Sequence, residues 1–206
     1  MKSQVEISHY NFENYIDKER FLSYYIQLYL INEIHPTSVL EIGVGKKILE
    51  KLLPEHINYT GFDFDIKLHP NVQGNIEFLP FKNKSFDLIT CFEVLEHLPF
   101  SKIVFILKEL KRVSKGKVLI SLPYANLKFE FSSYLPIIHN INIHWLVPKF
   151  YKKHKFDGEH YWEVGKKNFS MDTIKRTLEQ VFAIKKSFVS KDNTYHVFFI
   201  LENKDF

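Results

Sequence analysis

The sequence predicts an α/β fold, a Rossmann-like doubly wound sheet that is mostly parallel and closed by an antiparallel C-terminal hairpin. Three observations predict it. Short β-branched runs alternate with helical stretches through residue 122, the order that builds a parallel sheet covered by helices on both faces. The first run ends in two alternate glycines, Gly43 and Gly45, at the strand-to-helix turn where open α/β sheets receive ligands. The last two runs, residues 183–189 and 195–201, flank Lys191-Asp192-Asn193, a hairpin turn.

Each element has its own reason. Residues 17–34 are rich in Leu, Ile and Tyr with few turn formers, and read as a largely buried helix stopped by His35-Pro36. Residues 38–42 form a buried strand, and residues 46–53 a short helix ended by Pro54. Residues 57–62 are a second strand running into Asp63 and Asp65, residues 76–78 a short third, and residues 86–91 a fourth. Ser101 is the expected N-cap of a helix over residues 102–113, and residues 117–122 are a fifth strand closed by Pro123. The pattern then breaks. Residues 124–168 read as irregular, rich in aromatics and His, and carry Lys149, Lys152, Lys153 and Lys155. Regular structure returns as a helix over residues 170–182, before the hairpin. The expected organisation is a single domain: a helical cover (1–36), a ligand-binding core (37–123), a substrate-side insertion (124–169), and a C-terminal helix and hairpin (170–206).

Composition narrows the class. A chain of 206 residues with 45% hydrophobic and 25% charged residues builds one sizeable globular core. No run approaches the ~18–20 apolar residues that span a bilayer, and Met1 to His9 lack an apolar signal core, so a cytoplasmic protein is expected. The lone Cys91 excludes an intrachain disulfide and a multi-cysteine zinc site. A net charge of +4 is not by itself a nucleic-acid footprint. Aromatics make up 16% of the chain, enough to fill the core and line a pocket as well.

The chemistry concentrates in three places. In Val39-Leu40-Glu41-Ile42-Gly43-Val44-Gly45 a strand ends in an acid and two glycines, which let a ligand approach where a Cβ would clash. A dinucleotide site would want a third glycine where Ile48 stands, which argues against a pyrophosphate ligand and against a nicotinamide-dependent oxidoreductase. A sulfonium nucleoside has no phosphate to cradle, and Glu41 suits its ammonium, directly or through the loop amides. About twenty residues on, Asp63 ends the next strand, where a carboxylate accepts both ribose hydroxyls. The third place is the run over residues 74–89, continued by Glu93-Val94-Leu95-Glu96-His97-Leu98.

That third run closely resembles the "LPF…sFDlv…evLEHl" block of small class I methyltransferases that use S-adenosylmethionine (SAM). Residues 39–45 look like the first motif of that family and residues 60–63 like the second; residues 108–113 and 117–123 resemble the next helix and strand. The resemblance implies SAM as cofactor and assigns roles. Gly43, Val44 and Gly45 pass under its methionine part, Glu41 holds the loop or the ammonium, and Asp63 binds the ribose. Phe64 covers the adenine, Asn75 meets the adenine amine through its side-chain oxygen, and Ile76 packs on the ring. Cys91, Phe92 and Glu93 face the methyl-bearing end. Lys47, where many relatives have Gly, adds a cation near the carboxylate end.

Methyl transfer from a sulfonium rests on alignment, with a general base needed only when the acceptor must lose its proton early. The candidate bases are His97, His160 and His144, and of these His97 and His160 are the expected catalytic residues. A metal is not expected, since His139 and His144 have no third ligand nearby. Cys91-Phe92-Glu93-Val94 stands where amide- and base-N-methylating relatives carry an Asn-Pro-Pro-Tyr-like motif, which disfavours that chemistry. Tyr10, Phe12, Tyr15 and Arg20 are expected to line the N-terminal cover. The expected acceptor is a small molecule, lipid or sugar. The alternatives are an RNA methyltransferase, from the basic stretch at 149–155, and a non-catalytic partner that kept the fold.

Overall fold

The computed structural model of the protein describes residues 18–135 and 139–204; Tyr10, Phe12 and Tyr15 lie outside them. Helix α1 (Lys18–Ile34) leads into β1 (Ser38–Ile42), α2 (Ile48–Leu52), β2 (Asn58–Asp63), β3 (Val72–Gln73) and β4 (Phe86–Phe92). Next come α3 (Ile103–Val113), β5 (Ser114–Pro123), β6 (Asn126–Leu135), β7 (His139–Pro148), α4 (Met171–Glu179), β8 (Phe182–Val189) and β9 (His196–Asn203). Seven strands form one sheet in the order β3-β2-β1-β4-β5-β9-β8. Strands β1 to β5 pair in parallel, and β9 runs antiparallel to both β5 and β8. The expected doubly wound sheet with a reversed C-terminal hairpin is thus observed.

The order of strands reverses between β1 and the central strand β4. In register, Ile42 of β1 sits beside Phe62 of β2 on one side and Cys91 of β4 on the other. Three strands therefore end level, and a crevice opens beyond their carboxyl ends.

The sheet is a core because alternate residues point to opposite faces and both faces are covered. Leu40, Ile42, Ile89, Val118, Ile120 and Phe199 pack with Ile106 and Leu110 of α3 and with Ile174 and Leu178 of α4. Their neighbours Val39, Leu88, Leu119 and Phe198 pack with Ile26, Leu30 and Ile31 of α1 and with Leu49 of α2. Each fully buried side chain of this kind contributes about 1.5–3 kcal/mol relative to exposure.

Several expectations are corrected. Helix α1 is buried on one face only; Phe21, Tyr25 and Tyr29, spaced four apart, are exposed. The third strand lies at Val72–Gln73, not at 76–78. There the Asn75 side-chain oxygen accepts from Glu77 N at 3.0 Å, a local turn that competes with extension. Helix α2 starts late because Lys47 is left-handed, with φ 59°. Ser101 lies inside a 3₁₀ turn, Phe100–Lys102, and caps nothing; α3 begins at Ile103. Ser170 does cap α4, accepting from Thr173 N at 3.1 Å, but the helix ends at Glu179 and Phe182 opens β8.

The largest correction is the ribbon. Asn126–Leu135 and His139–Pro148, read as irregular, form two ten-residue strands paired antiparallel outside the main sheet. No described helix is long and apolar enough to cross a membrane.

Candidate active site

A cavity of about 770 Å³ occupies the crevice at the carboxyl ends of β1, β2 and β4. That volume lies within the ~300–1,000 Å³ range of small-molecule sites. One end is built by loops of the parallel sheet. After Ile42 the chain turns through Gly43 (φ +82°) and Gly45 (φ +46°). A Cβ on Gly43 would stand 2.4 Å from Val94 Cγ2, so this loop and the one after β4 press together only because the residue is glycine.

Asp63 ties the loops. Its Oδ2 accepts from Val44 N at 3.0 Å and its Oδ1 from Asp65 N at 2.9 Å. Each oxygen keeps a second lone-pair site for a ligand hydroxyl. Burial raises its pKa, while the amides of Asp65 and Val44 oppose the rise. Glu41 is likewise buried. Burial pushes its pKa up to about 8, against the hydrogen bond it accepts from Tyr59. Glu41 holds Tyr59 through that hydrogen bond and lines the cavity beside the glycine loop. Lys47 pairs with Glu50 at 2.7 Å and does not line the cavity.

Phe64, Asn75 and Ile76 line the same end. Ile76 is buried and Phe64 partly exposed, two apolar surfaces for a planar ring. The Asn75 oxygen already accepts from Glu77 N, which leaves it one site for a donor. Four residues of α1, Arg20, Ser23, Tyr24 and Gln27, form a wall of the cavity. The helix is anchored there by Asn193 Nδ2, which donates to Glu19 O at 2.7 Å.

The other end is ionisable. Glu93 follows β4 with φ 53°, a left-handed position that non-glycine residues hold only when their surroundings fix them. Ser121 Oγ donates to its Oε1, and its Oε2 lies 3.0 Å from His196 Nε2. Burial works against ionising Glu93, but the His196 partner outweighs it and the pKa is lowered. Glu96 is fully buried, and neither carboxyl oxygen has a hydrogen-bond partner among the described residues. Burial holds its pKa well above the usual carboxylate range, with Glu93 adding to the rise.

Two imidazoles complete this end. His97 Nδ1 is 3.0 Å from Glu159 O. A carbonyl only accepts, so Nδ1 carries the hydrogen and Nε2 keeps its lone pair. Burial lowers the His97 pKa, and nearby His160 lowers it further. The two rings meet edge to face, centroids 4.9 Å apart. His160 Nδ1 lies 3.3 Å from Glu163 Oε1, and Glu163 Oε2 meets Lys166 Nζ at 2.8 Å. Burial disfavours the charged ring of His160, but Glu163 overcomes that and raises its pKa. The segment that carries His160 is clamped on the loop after β4. Tyr161 N donates to Glu96 O at 2.8 Å, and the buried Trp162 donates Nε1–H to Leu98 O at 3.0 Å.

The structure brings Glu41, Gly43, Val44, Gly45, Asp63, Phe64, Asn75, Ile76, Phe92, Glu93, His97 and His160 to one cavity. It does not bring Cys91, which is sealed in the core within β4. His144 is on the ribbon, 3.0 Å from Glu130, and does not line the cavity. Glu96, Glu163 and His196 have no role in the sequence reading. Glu96 sits in the run Glu93 to Leu98 and His196 in the final run 195–201, and Glu96 and Glu163 lie one and three positions from His97 and His160. Donor atoms of Glu96, His97 and His160 lie within 4.8 Å of one another, as do those of Asp157, His160 and Glu163. Either set has the composition of a divalent-cation site.

Comparisons with known proteins agree with this geometry. The profile of the methyltransferase domain matches residues 10–180. An uncharacterized protein of Methanocaldococcus jannaschii, MJ1252, is 35% identical over 99 residues, spanning 43% of this chain and 37% of that protein. Among solved structures, the 1,6-didemethyltoxoflavin-N1-methyltransferase of Burkholderia thailandensis, with S-adenosylhomocysteine bound, superposes with a TM-score of 0.63 at 13% identity; 97% of this chain and 85% of that chain are covered. The small RNA methyltransferase HEN1 gives a TM-score of 0.62 at 15% identity, covering all of this chain but 27% of HEN1. At such identities these two likenesses speak for the fold.

Proposed function

Because this chain belongs to the methyltransferase-domain family, we propose that it transfers a methyl group from SAM to a small-molecule, lipid or sugar acceptor within this cavity. The observation that carries the reading is that one cavity joins the Asp63 end to the His97 end. When bound, SAM supplies an activated methyl on a sulfonium, and everything else falls to side chains. The residues fit the cofactor. Asp63 retains acceptor sites for ribose hydroxyls, Phe64 and Ile76 flank a planar ring, and Ile48 lines the cavity where a pyrophosphate site would need glycine. Residues 37–123 then serve as the cofactor core and residues 124–169 as the acceptor side, with α1 as a wall, all within a single domain.

On the acceptor side, His97 Nε2 takes the proton of a hydroxyl or amine. Glu163 raises the pKa of His160, and His160 in turn disfavours protonation of His97 before the reaction. Glu93 and His196 fix the floor of the site, and α1 with Tyr161 excludes water. Titration calorimetry with S-adenosylhomocysteine tests the cofactor half. Wild type binds with micromolar Kd, and Asp63→Ala weakens binding about ten- to hundredfold, the worth of charge-assisted hydrogen bonds. A folded protein, freed of co-purified ligand, that binds neither SAM nor its demethylated product would overturn the reading in favour of a non-catalytic partner.

A second reading of the acceptor end rests on Glu96. Its two unpartnered oxygens, with two imidazoles whose Nδ1 atoms are each fixed by an acceptor, make the carboxylate-plus-two-histidine set of a divalent site with its supporting hydrogen bonds. After dialysis against a chelator, stoichiometric Mn²⁺ binding that Glu96→Gln abolishes would replace the free-base reading with this one. No binding leaves His97 as the base.

A further inference from the structure

The two-stranded ribbon presents a face that nothing described covers. Opposite residues in an antiparallel pair share a face, and the pairs Leu127↔Val147, Phe129↔Trp145 and Phe131↔Ile143 fall on one side. Leu127, Phe129, Phe131, Trp145 and Val147 are all exposed; Trp145 is 60% and Phe131 57% accessible. The other face carries Glu130, paired to Lys128 at 2.6 Å and to His144 at 3.0 Å, and Leu146, which packs against the core. An isolated two-stranded ribbon is marginal in water, and a contiguous aromatic stripe of this size marks an interaction surface.

The adjoining segment indicates what the surface meets. Directly after Pro148 the chain reads Lys149-Phe150-Tyr151-Lys152-Lys153-His154-Lys155-Phe156, with no acid until Asp157. Phe150, Tyr151 and Phe156 are exposed. Lys149, Lys152, Lys153 and Lys155 form no ion pair among the described residues. This segment is not a loose tail: Lys149 N donates to Ala125 O at 3.0 Å and Lys167 N to Lys152 O at 2.9 Å. An apolar aromatic face bordered by such lysines is complementary to an anionic lipid surface, where rings enter the headgroup boundary and ammonium groups meet phosphate. A second copy of the chain is a poorer match, because a twofold contact through this face would gather the lysines of both copies.

We propose that the ribbon face and the adjoining lysines dock the protein on an anionic membrane surface. The ribbon leaves the body just after β5, on the same carboxyl-end side as the cavity. Phe156 belongs to the basic segment and also lines the cavity. Docking would bring the cavity mouth to the lipid boundary and favour a lipid or lipid-linked acceptor. That last step rests on the methyltransferase reading, whereas the docking itself does not.

The test uses vesicles and no turnover. The chain has two tryptophans, Trp145 exposed and Trp162 sealed at 1% accessibility, so Trp145 alone can report on the surface. Cosedimentation with phosphatidylglycerol–phosphatidylcholine vesicles should exceed that with phosphatidylcholine alone. Trp145 emission should shift to the blue and be quenched by brominated lipid, and Trp145→Phe should abolish the shift. Phe129→Ser with Phe131→Ser, and separately Lys152→Glu with Lys153→Glu, should each weaken partitioning on the order of tenfold or more. Both variants should keep wild-type melting and S-adenosylhomocysteine binding. Absence of partitioning by folded protein, or partitioning that these variants leave unchanged, would overturn the proposal. So would a dimer in ultracentrifugation that the phenylalanine variant dissolves, or single-stranded RNA binding that displaces vesicles. Each of these results leaves the methyltransferase reading standing if the cofactor still binds.

Discussion

The parallel core and the segment after it solve opposite problems. From β1 to β5, apolar residues are consumed by the sheet itself: Val39, Leu40, Leu88, Ile89, Leu119 and Ile120 are all at or near zero accessibility. In the segment that follows β5 several aromatics are spent outward: Phe129, Trp145, Phe150, Phe156 and Tyr161 are exposed. The core supplies geometry, holding Gly43, Asp63 and Glu93 level at the ends of three strands. The later segment supplies chemistry and surface, bringing His160 and Glu163 over the site. The two are joined chiefly where Trp162, Tyr161 and Val164 meet the loops after β4 and β5.

The sharpest contrast is between the two tryptophans that follow β5. Trp162→Ala removes a buried ring, its bond to Leu98 O and its edge contacts with Phe100, and should cost about 3–5 kcal/mol. Trp145→Ala, on the open ribbon, should change stability by no more than about 0.5 kcal/mol. Denaturant melts of the two variants, side by side, check this; equal losses would mean that Trp145 is packed and not open to solvent.

Within the core, Gly43→Ala forces φ +82° on a residue with a Cβ and drives it into Val94. A loss of about 1–3 kcal/mol is expected, with cofactor affinity falling further than stability alone requires. Gly116→Ala, where nothing lies within 4 Å of the added carbon, is the matched control.

The pH profile separates the two ends of the cavity. His97 is held below the ordinary imidazole range, near 6.5, so the neutral base persists as pH falls. The acid limb of kcat should therefore lie below that value, and His160→Gln should move it upward by removing the ring that opposes protonation of His97. A limb above 6.5 would contradict the free-base reading.

A modest effect belongs to Asp87. It accepts from Thr37 N at 3.0 Å, from Ser38 N at 2.9 Å and from Lys115 Nζ at 2.8 Å. Lys115 and Thr37 hold its carboxyl well below the usual range. Its contribution is complete above the unfolded value near 4 and is lost as pH drops through the depressed folded value. Asp87→Asn should cost about 1 kcal/mol at pH 7 and nothing once both proteins are acid-titrated, as melts across pH would show.

Legibility from sequence divides along the same line. The core is readable because β-branched runs, alternate glycines and a strand-end acid are local signals, and Asp63 and Gly43 do fall on the cavity. Residues 76–78 fail as a strand because the Asn75 turn outcompetes a three-residue run. Cys91 does not reach the crevice because alternation along β4 decides which side chains face it, and Cys91 points into the core. The ribbon is hard to read although Leu127, Phe129 and Phe131 alternate with Lys128, Glu130 and Ser132; no Asn-Gly or Asp-Gly turn marks the hairpin, and rich aromatic content masks the period. Glu96, Glu163 and His196 require the fold, since their significance lies in meeting His97, His160 and Glu93 in space.

The central claim is that methyl transfer occurs in this cavity to an extractable acceptor. Incubation with methyl-deuterated SAM and separated aqueous and lipid extracts, followed by mass spectrometry, tests it most directly. A new product carrying the deuterated methyl in one of those extracts, lost with Asp63→Ala and sharply reduced with His97→Ala, is the predicted result. Label found only in RNA or protein, or no transfer by an enzyme that binds S-adenosylhomocysteine normally, would contradict it.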